Sequence, residues 1–174
     1  NAFGYDILSK ENFSSLENNF ISSKKDFFQK VDIIFSVVRD INQTEELCEG
    51  KNGLFQLNSP KTLIISSTLS PAFLNDFFQN APENITMIEA PMSGAPMKAK
   101  DATLTFMVGA EKNQYENILP ILNILGEKIH HIGKFGSGMS VKVLNNFVAS
   151  CSVVAVRHVL SEAKYLNISS EQLL

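Results

Sequence analysis

Cysteine, histidine and concentrated positive charge are scarce along this chain, and each scarcity closes off a class of chemistry. The two cysteines, Cys48 and Cys151, are far apart, and neither belongs to a metal-type or redox-type pair. They read as free, mostly buried thiols in a reducing compartment, the cytoplasm first and the mitochondrial matrix second. Three histidines without metal-ligand spacing give no metal site. Lysine and arginine number 15 against 18 acidic residues, for a net charge of −3. Nucleic-acid binding needs a concentrated basic face, which is not visible here, and the pair Lys24-Lys25 reads as a solvated helix face or turn. No apolar run reaches ~18 residues, so no membrane span is expected. No secretory leader opens the chain. What remains is an ordinary soluble composition, 44% hydrophobic and 19% charged over 174 residues. That is enough for one packed domain, or for a domain plus one long element of a second.

Apolar runs alternate with helical patterns. Asn1–Asp6 reads as the end of a strand. Residues 12–28 are polar and weakly helical, with Ser14, Ser15, Ser22 and Ser23 as candidate caps. Val31–Val38 is a nearly continuous β-branched run of the kind buried on both faces of a parallel sheet. Gln43–Glu49 suggests a short helix closed by Gly50 and Gly53. Lys61–Ser67 is a second buried strand, Pro71 opens a helix through Phe77 and Phe78, and Ile85–Glu89 is a third strand. Thr103–Val108 and Lys128–Ile132 add two more, around an apolar-periodic helix at Tyr115–Leu125 that Pro120 interrupts. Strand, helix, strand, helix, strand predicts an α/β sheet with helical crossovers. From Met139 to Leu166 there is neither Gly nor Pro, and apolar residues cover most faces. This predicts one long helix buried between other elements, followed by a further helix capped by Ser169 or Ser170. A helix of that kind needs partners on several sides, so a helical domain or a second subunit is expected to cover it.

Three segments carry chemistry. Ala90-Pro91-Met92-Ser93-Gly94-Ala95 follows a strand, and its Ser-Gly turn offers a hydroxyl and open backbone N–H groups to a carboxylate; a plain turn uses the same residues. Ser66–Pro71 also lies at a strand end, where parallel sheets bind ligands, and it equally satisfies a helix N-cap. Gly136-Ser137-Gly138 precedes Lys142, Asn145 and Asn146. Lys142 and Asn146 stand four apart and share a helix face. Burying both without partners would cost several kcal/mol, so they are either a functional pair or a snorkelling lysine beside a backbone-bonded amide.

In this order the segments resemble the β-hydroxyacid dehydrogenase family, which includes 3-hydroxyisobutyrate dehydrogenase. The likeness spans nearly the whole chain. It is strongest over residues 90–110, over 128–147 with its Gly-x-Gly-x-x-x-Lys-x-x-Asn-Asn pattern, and over Ser67–Pro71. The resemblance implies a Rossmann-type doubly wound α/β sheet over residues 1–135. The first strand and the Gly-rich loop are missing from that sheet. Residues 136–174 would then be a long interdomain helix opening an all-α second domain. It implies Lys142 as the general acid/base that exchanges a proton with the substrate oxygen, and Asn146 as the residue orienting substrate and lysine. Ser93, Gly94, Ala95 and Asn145 would form the substrate carboxylate site, with Ala95 standing where many relatives carry Gly. Thr68 would contact the nicotinamide ribose, and Val37 and Val38 would line the cofactor groove. Asp6 would accept the adenosine ribose hydroxyls and so favour NAD over NADP, although an Asp in a turn is the other reading. Arg39 is an unexpected cation beside that groove.

The implied activity is hydride transfer between NAD, or NADP as second choice, and a short β-hydroxy acid or its semialdehyde. The alternative is a non-catalytic binding or scaffold module of the same fold. A decarboxylating enzyme of the phosphogluconate type would need a basic phosphate-binding cluster, which is not visible. His130 and His131 read as structural. Partners are expected to be a small carboxylate substrate and copies of the chain in a homodimer or homotetramer, with no nucleic acid and no membrane.

Overall fold

The computed structural model describes residues 2–13 and 18–173; the candidate caps Ser14 and Ser15 lie outside that set. The order of elements is α1 (Lys24–Lys30), β1 (Ile33–Ser36), α2 (Ile41–Cys48), β2 (Lys61–Ile65), α3 (Pro71–Gln79), β3 (Ile85–Glu89), β4 (Met92–Ser93) and α4 (Pro96–Lys100). It continues with β5 (Leu104–Gly109), α5 (Lys112–Leu125), β6 (Gly126–Gly133), α6 (Ser137–Tyr165) and α7 (Ser170–Leu173). Strands β1, β2 and β3 pair in parallel, residue for residue along β2. The expected end strand at Asn1–Asp6 is reduced to a single parallel bridge between Gly4 and Phe20.

Side chains on β2 alternate between two cores. Leu63 and Ile65 join Phe28, Leu74 and Met87 on one face, while Ile64 joins Ile88, Ile118 and Leu122 on the other. Strand periodicity of two sends successive residues to opposite faces, and here both faces are covered: α1, α2 and α3 lie on one, α5 on the other. A run such as Thr62-Leu63-Ile64-Ile65 has no polar alternation because neither of its faces meets water.

The sheet departs from pure parallel winding after β3. The chain continues through Ala90 and Pro91 into β4, and this extension runs antiparallel to β5, with Glu89 opposite Gly109, Met92 opposite Phe106 and Ser93 opposite Thr105. Strand β6 then pairs with β5 in parallel. The sequence reading placed a turn at residues 90–95. The structure makes Met92 and Ser93 a strand and delays the turn to Gly94, whose φ of 149° favours glycine.

Pro120 does not interrupt α5, which runs unbroken from Lys112 to Leu125. It sits on the exposed side, and so does Glu116 four residues earlier, whose carbonyl loses its helical donor where water can replace it. The helix also starts earlier than its apolar period suggests, because Glu111 and Gln114 form a reciprocal capping box.

Helix α6 spans 29 residues. Only Gly138, Met139, Lys142 and Ala163 are buried along it, while Leu144, Phe147, Val148, Val153 and Val154 are each more than 60% exposed. Its long apolar face therefore has no cover within the described residues. By length and composition alone α6 could cross a bilayer, although Lys142, Asn145 and Asn146 break its apolar run. Its first turn is nevertheless packed on the sheet. Cys48 is buried and burial pushes its thiol up to about 12, whereas Cys151 lies exposed on α6, against the expectation that both are buried.

Candidate functional site

The carboxyl ends of the parallel strands carry the predicted cofactor residues. Val37 (60% exposed) and half-buried Val38 leave the end of β1, and Thr68 lies exposed beyond β2. The Val38 N–H donates to Ser67 Oγ at 2.8 Å, tying the two loops together. Between them opens a cavity of about 480 Å³ lined by Arg39, Asp40, Ile41, Asn42, Thr68, Leu69 and Ser70. Its position at the strand ends, its mixed polar and apolar wall, and its exposed Thr68 hydroxyl suit the ribose and ring of a nicotinamide. Arg39 lies in its wall, as the sequence position suggested. Removing the Ser67 hydroxyl should matter: Ser67→Ala is expected to cost about 1 kcal/mol, the range for one buried hydrogen bond. Urea unfolding would measure this, and a change indistinguishable from zero would mean the loops are held by something else.

Asp6 is half-buried, and its Oδ1 accepts the N–H of Leu8 at 2.8 Å. The carboxylate thus makes a local turn, and that contact leaves room for a ribose as well, since a carboxylate offers about four acceptor sites.

Residues from the two remaining segments meet on β5. Ser93 pairs with Thr105 of that strand. Gly138, in the first turn of α6, packs on Met107 and Gly109 of the same strand. Along β5 the pairing partner of Ser93 thus lies two residues from Met107 and four from Gly109, about 7 to 13 Å of strand. Gly94 and Ala95 follow Ser93 and are exposed; Ala95 is the N-cap of the five-residue α4.

Lys142 stands one turn into α6 and is only 9% exposed. No ion pair to it is formed among the described residues, and desolvation pulls its amine below the usual lysine value of 10.5. It does not snorkel into bulk water. Asn145 and Asn146, in contrast, are exposed. Lys142 is thus buried, while Asn145 and Asn146, about one turn further along the same helix, are exposed.

Glu89 was not singled out from the sequence. It ends β3 and is fully buried. Burial pushes its carboxyl up, opposed by backbone N–H groups of Met139, Gly138 and Gly136; the Met139 N–H lies 3.0 Å from Oε1. The available signal was an acid closing an otherwise apolar strand just before Ala90-Pro91. Met139 is fixed on the other side as well, since its sulfur accepts the Leu69 N–H at 3.4 Å. His131 is structural: it stacks on Tyr115 at 4.5 Å and bonds the Ala110 carbonyl at 2.8 Å. Among the described residues no cluster of His, Cys, Asp or Glu could hold a metal ion.

Comparison with known proteins shows the family and the fold. Residues 5–133 match the NAD binding domain of 6-phosphogluconate dehydrogenase. A probable mitochondrial 3-hydroxyisobutyrate dehydrogenase from Dictyostelium discoideum is 31% identical over 159 residues, 88% of this chain and 50% of that protein. The 2-(hydroxymethyl)glutarate dehydrogenase of Eubacterium barkeri is 33% identical over 131 residues, 74% of this chain and 44% of its own. The chain spans about half the length of the curated relatives it matches. Among solved structures, 3-hydroxyisobutyrate dehydrogenase from Mycobacterium tuberculosis with L-serine superposes with a TM-score of 0.78 at 24% identity, over 92% of this chain and 55% of that one. The fold is accordingly of the Rossmann type, followed by a long helix.

Proposed function

Because the chain belongs to the family of the NAD binding domain of 6-phosphogluconate dehydrogenase, and within it to the β-hydroxyacid dehydrogenases, we propose that it supplies the cofactor domain and catalytic helix of a hydroxyacid dehydrogenase. The reaction is hydride transfer between a nicotinamide dinucleotide and a short β-hydroxy acid or its semialdehyde. The observation that carries this is Lys142: a buried lysine one turn beyond the point where α6 is seated on β5 and on the end of β3, with its pKa held down by desolvation and no ion-pair partner among the described residues.

When bound, the nicotinamide accepts or returns the hydride. The chain's own residues do the rest. Lys142 in its neutral form takes the hydroxyl proton as the substrate C–H hydride leaves; in its ammonium form it returns that proton to the carbonyl oxygen. Ser93, Gly94, Ala95 and Asn145 hold the substrate carboxylate, and Asn146 orients the substrate. Thr68, Val37 and Val38 hold the nicotinamide half of the cofactor. Asp6 takes the adenosine ribose, which favours NAD. Relatives named for 3-hydroxyisobutyrate, 2-(hydroxymethyl)glutarate and 2-hydroxy-3-oxopropionate set the substrate class to test. Residues 136–174 open a second, helical domain, and the uncovered face of α6 is the surface on which that domain and a second subunit pack. The assembly is a homodimer or homotetramer, in the cytoplasm or the mitochondrial matrix.

The test is a panel of short hydroxy acids with NAD and with NADP, run on the full-length protein. The expected result is oxidation of at least one acid, with NAD preferred. Absence of turnover, with cofactor binding retained, would instead establish a non-catalytic module. The pH profile follows from the sign of the lysine shift. Oxidation needs the neutral amine, so its rate rises as pH climbs through the Lys142 pKa, and that limb lies below 10.5 because burial disfavours the ammonium. Reduction needs the ammonium and falls through the same limb.

A further inference from the structure

The first turn of an α-helix presents amide groups with no partner of their own, usually satisfied by the side chain of the N-cap residue. Helix α6 cannot use that device, since its N-cap is Gly136, which has no side chain to offer. Glu89 does the work from another element. Its Oε1 accepts the N–H of Met139, the third residue of the helix, and the N–H groups of Gly138 and Gly136 face the same carboxyl. Oε2 is buried and makes no hydrogen bond among the described residues.

The carboxyl is also confined by its surroundings. A Cβ added at Gly109 would overlap Glu89 Oε1, and one added at Gly138 would stand 3.1 Å from it. The side chain is therefore wedged between β5 and the start of α6, with two glycines cleared around it. A strand whose inward residues are Ile85, Met87 and Ile88 would be served by another aliphatic side chain at its end. Burying an acid there costs free energy unless its acceptor function is used, and the acceptor it offers is directed at α6.

Met139 and Lys142 are three residues apart, hence neighbours on one helix face, with an axial separation of about 4.5 Å. Both are buried. Whatever fixes the Met139 amide fixes the height and rotation of the turn from which the Lys142 amine projects.

We propose that Glu89 is a positioning residue for the reaction: its carboxyl pins the first turn of α6 to the end of β3 and thereby sets the Lys142 amine against the carboxylate turn at Ser93. The proposal rests on the reading of Lys142 as acid/base. It assigns to Glu89 no contact with substrate or cofactor.

The experiment compares Glu89→Ala, Glu89→Gln and Glu89→Asp in the full chain, well below the thermal midpoint of each. Glutamine keeps the Oε1 acceptor and places an amide where Oε2 stood. Glu89→Ala is expected to lower kcat about 100-fold, the scale of a small misplacement of a catalytic group, with KM little changed. Its alkaline limb should move toward 10.5 as water reaches Lys142. Glu89→Gln should restore both rate and limb, and Glu89→Asp, one methylene shorter, should fall between. The rate of amine acylation at Lys142, read by peptide mass spectrometry, should rise in Glu89→Ala whether or not the protein turns over any substrate. Unchanged kinetics and acylation in Glu89→Ala would overturn the proposal and leave the dehydrogenase reading standing. A glutamine variant as impaired as alanine would overturn it too, by showing that charge and not the acceptor matters. If alanine fails to fold, glutamine against aspartate carries the same comparison. Full activity in Lys142→Ala would remove the underlying reading itself, and this inference with it.

Discussion

Lys142→Ala is expected to lower kcat by about 1000-fold, within the usual contribution of a positioned general acid/base, while KM for the hydroxy acid changes little. The reasoning starts from burial. A lysine 9% exposed and without an ion-pair partner among the described residues is destabilised as a cation, so it gives up its proton at a lower pH than an ordinary lysine does. Alanine leaves the carboxylate turn and the cofactor cavity intact, so the loss falls on the chemical step and not on binding. Lys142→Arg should be equally slow despite keeping the positive charge, since guanidinium does not give up its proton in this range. Steady-state kinetics on the full chain decide the matter; a Lys142→Arg enzyme with near wild-type kcat would show that charge alone suffices.

The second large effect is steric. Gly138→Ala is expected to destabilise the fold by about 3 kcal/mol, the upper part of the range for overpacking, and to reduce activity along with it. A Cβ at Gly138 would overlap the Met107 carbonyl oxygen and stand 2.8 Å from the Gly109 nitrogen. These are backbone atoms of a paired central strand and cannot give way, so α6 must lift. Lys142 is four residues further on and lifts with it. Gly133→Ala is the contrast: the Ser137 side chain is its nearest neighbour, at 3.3 Å, so any loss there comes from its φ of 156° and should spare kcat per folded molecule. Urea unfolding beside kcat for both variants separates crowding at the helix seat from backbone strain. Wild-type stability in Gly138→Ala would mean that the close approach of α6 to β5 is not maintained in solution.

The parts of the fold written in local pattern were legible. Buried parallel strands show as unbroken runs such as Leu63-Ile64-Ile65, and α3 announces itself through Ser70 and Pro71. Pairing direction was not legible. Nothing in Met92-Ser93 or Leu104–Gly109 distinguishes a strand that returns antiparallel from one that continues the winding, because direction is set by where the chain turns and not by the side chains on it. The candidate site was legible as an ordered set of motifs, and Lys142 stood out because a cation on an apolar helix needs a reason. Glu89 did not, since its meaning lies in Gly136, Gly138 and Met139, some fifty residues away. The exposure of Asn145 and Asn146 was equally hidden: spacing of three or four assigns residues to a face but does not say which part of that face touches the sheet.

Strand β5 holds both halves of the proposed site, Ser93 through its pairing with Thr105 and the first turn of the Lys142 helix through Met107 and Gly109. The span between Ser93 and the helix that carries Lys142 is therefore gauged in whole residues of a hydrogen-bonded ribbon. Lengthening or shortening that ribbon moves the gauge in steps of about 3.3 Å, about twice a carbon–carbon bond length. On the proposed reading, substrate size is then adjusted through side chains and the loop after Ser93, since any change of register would overshoot.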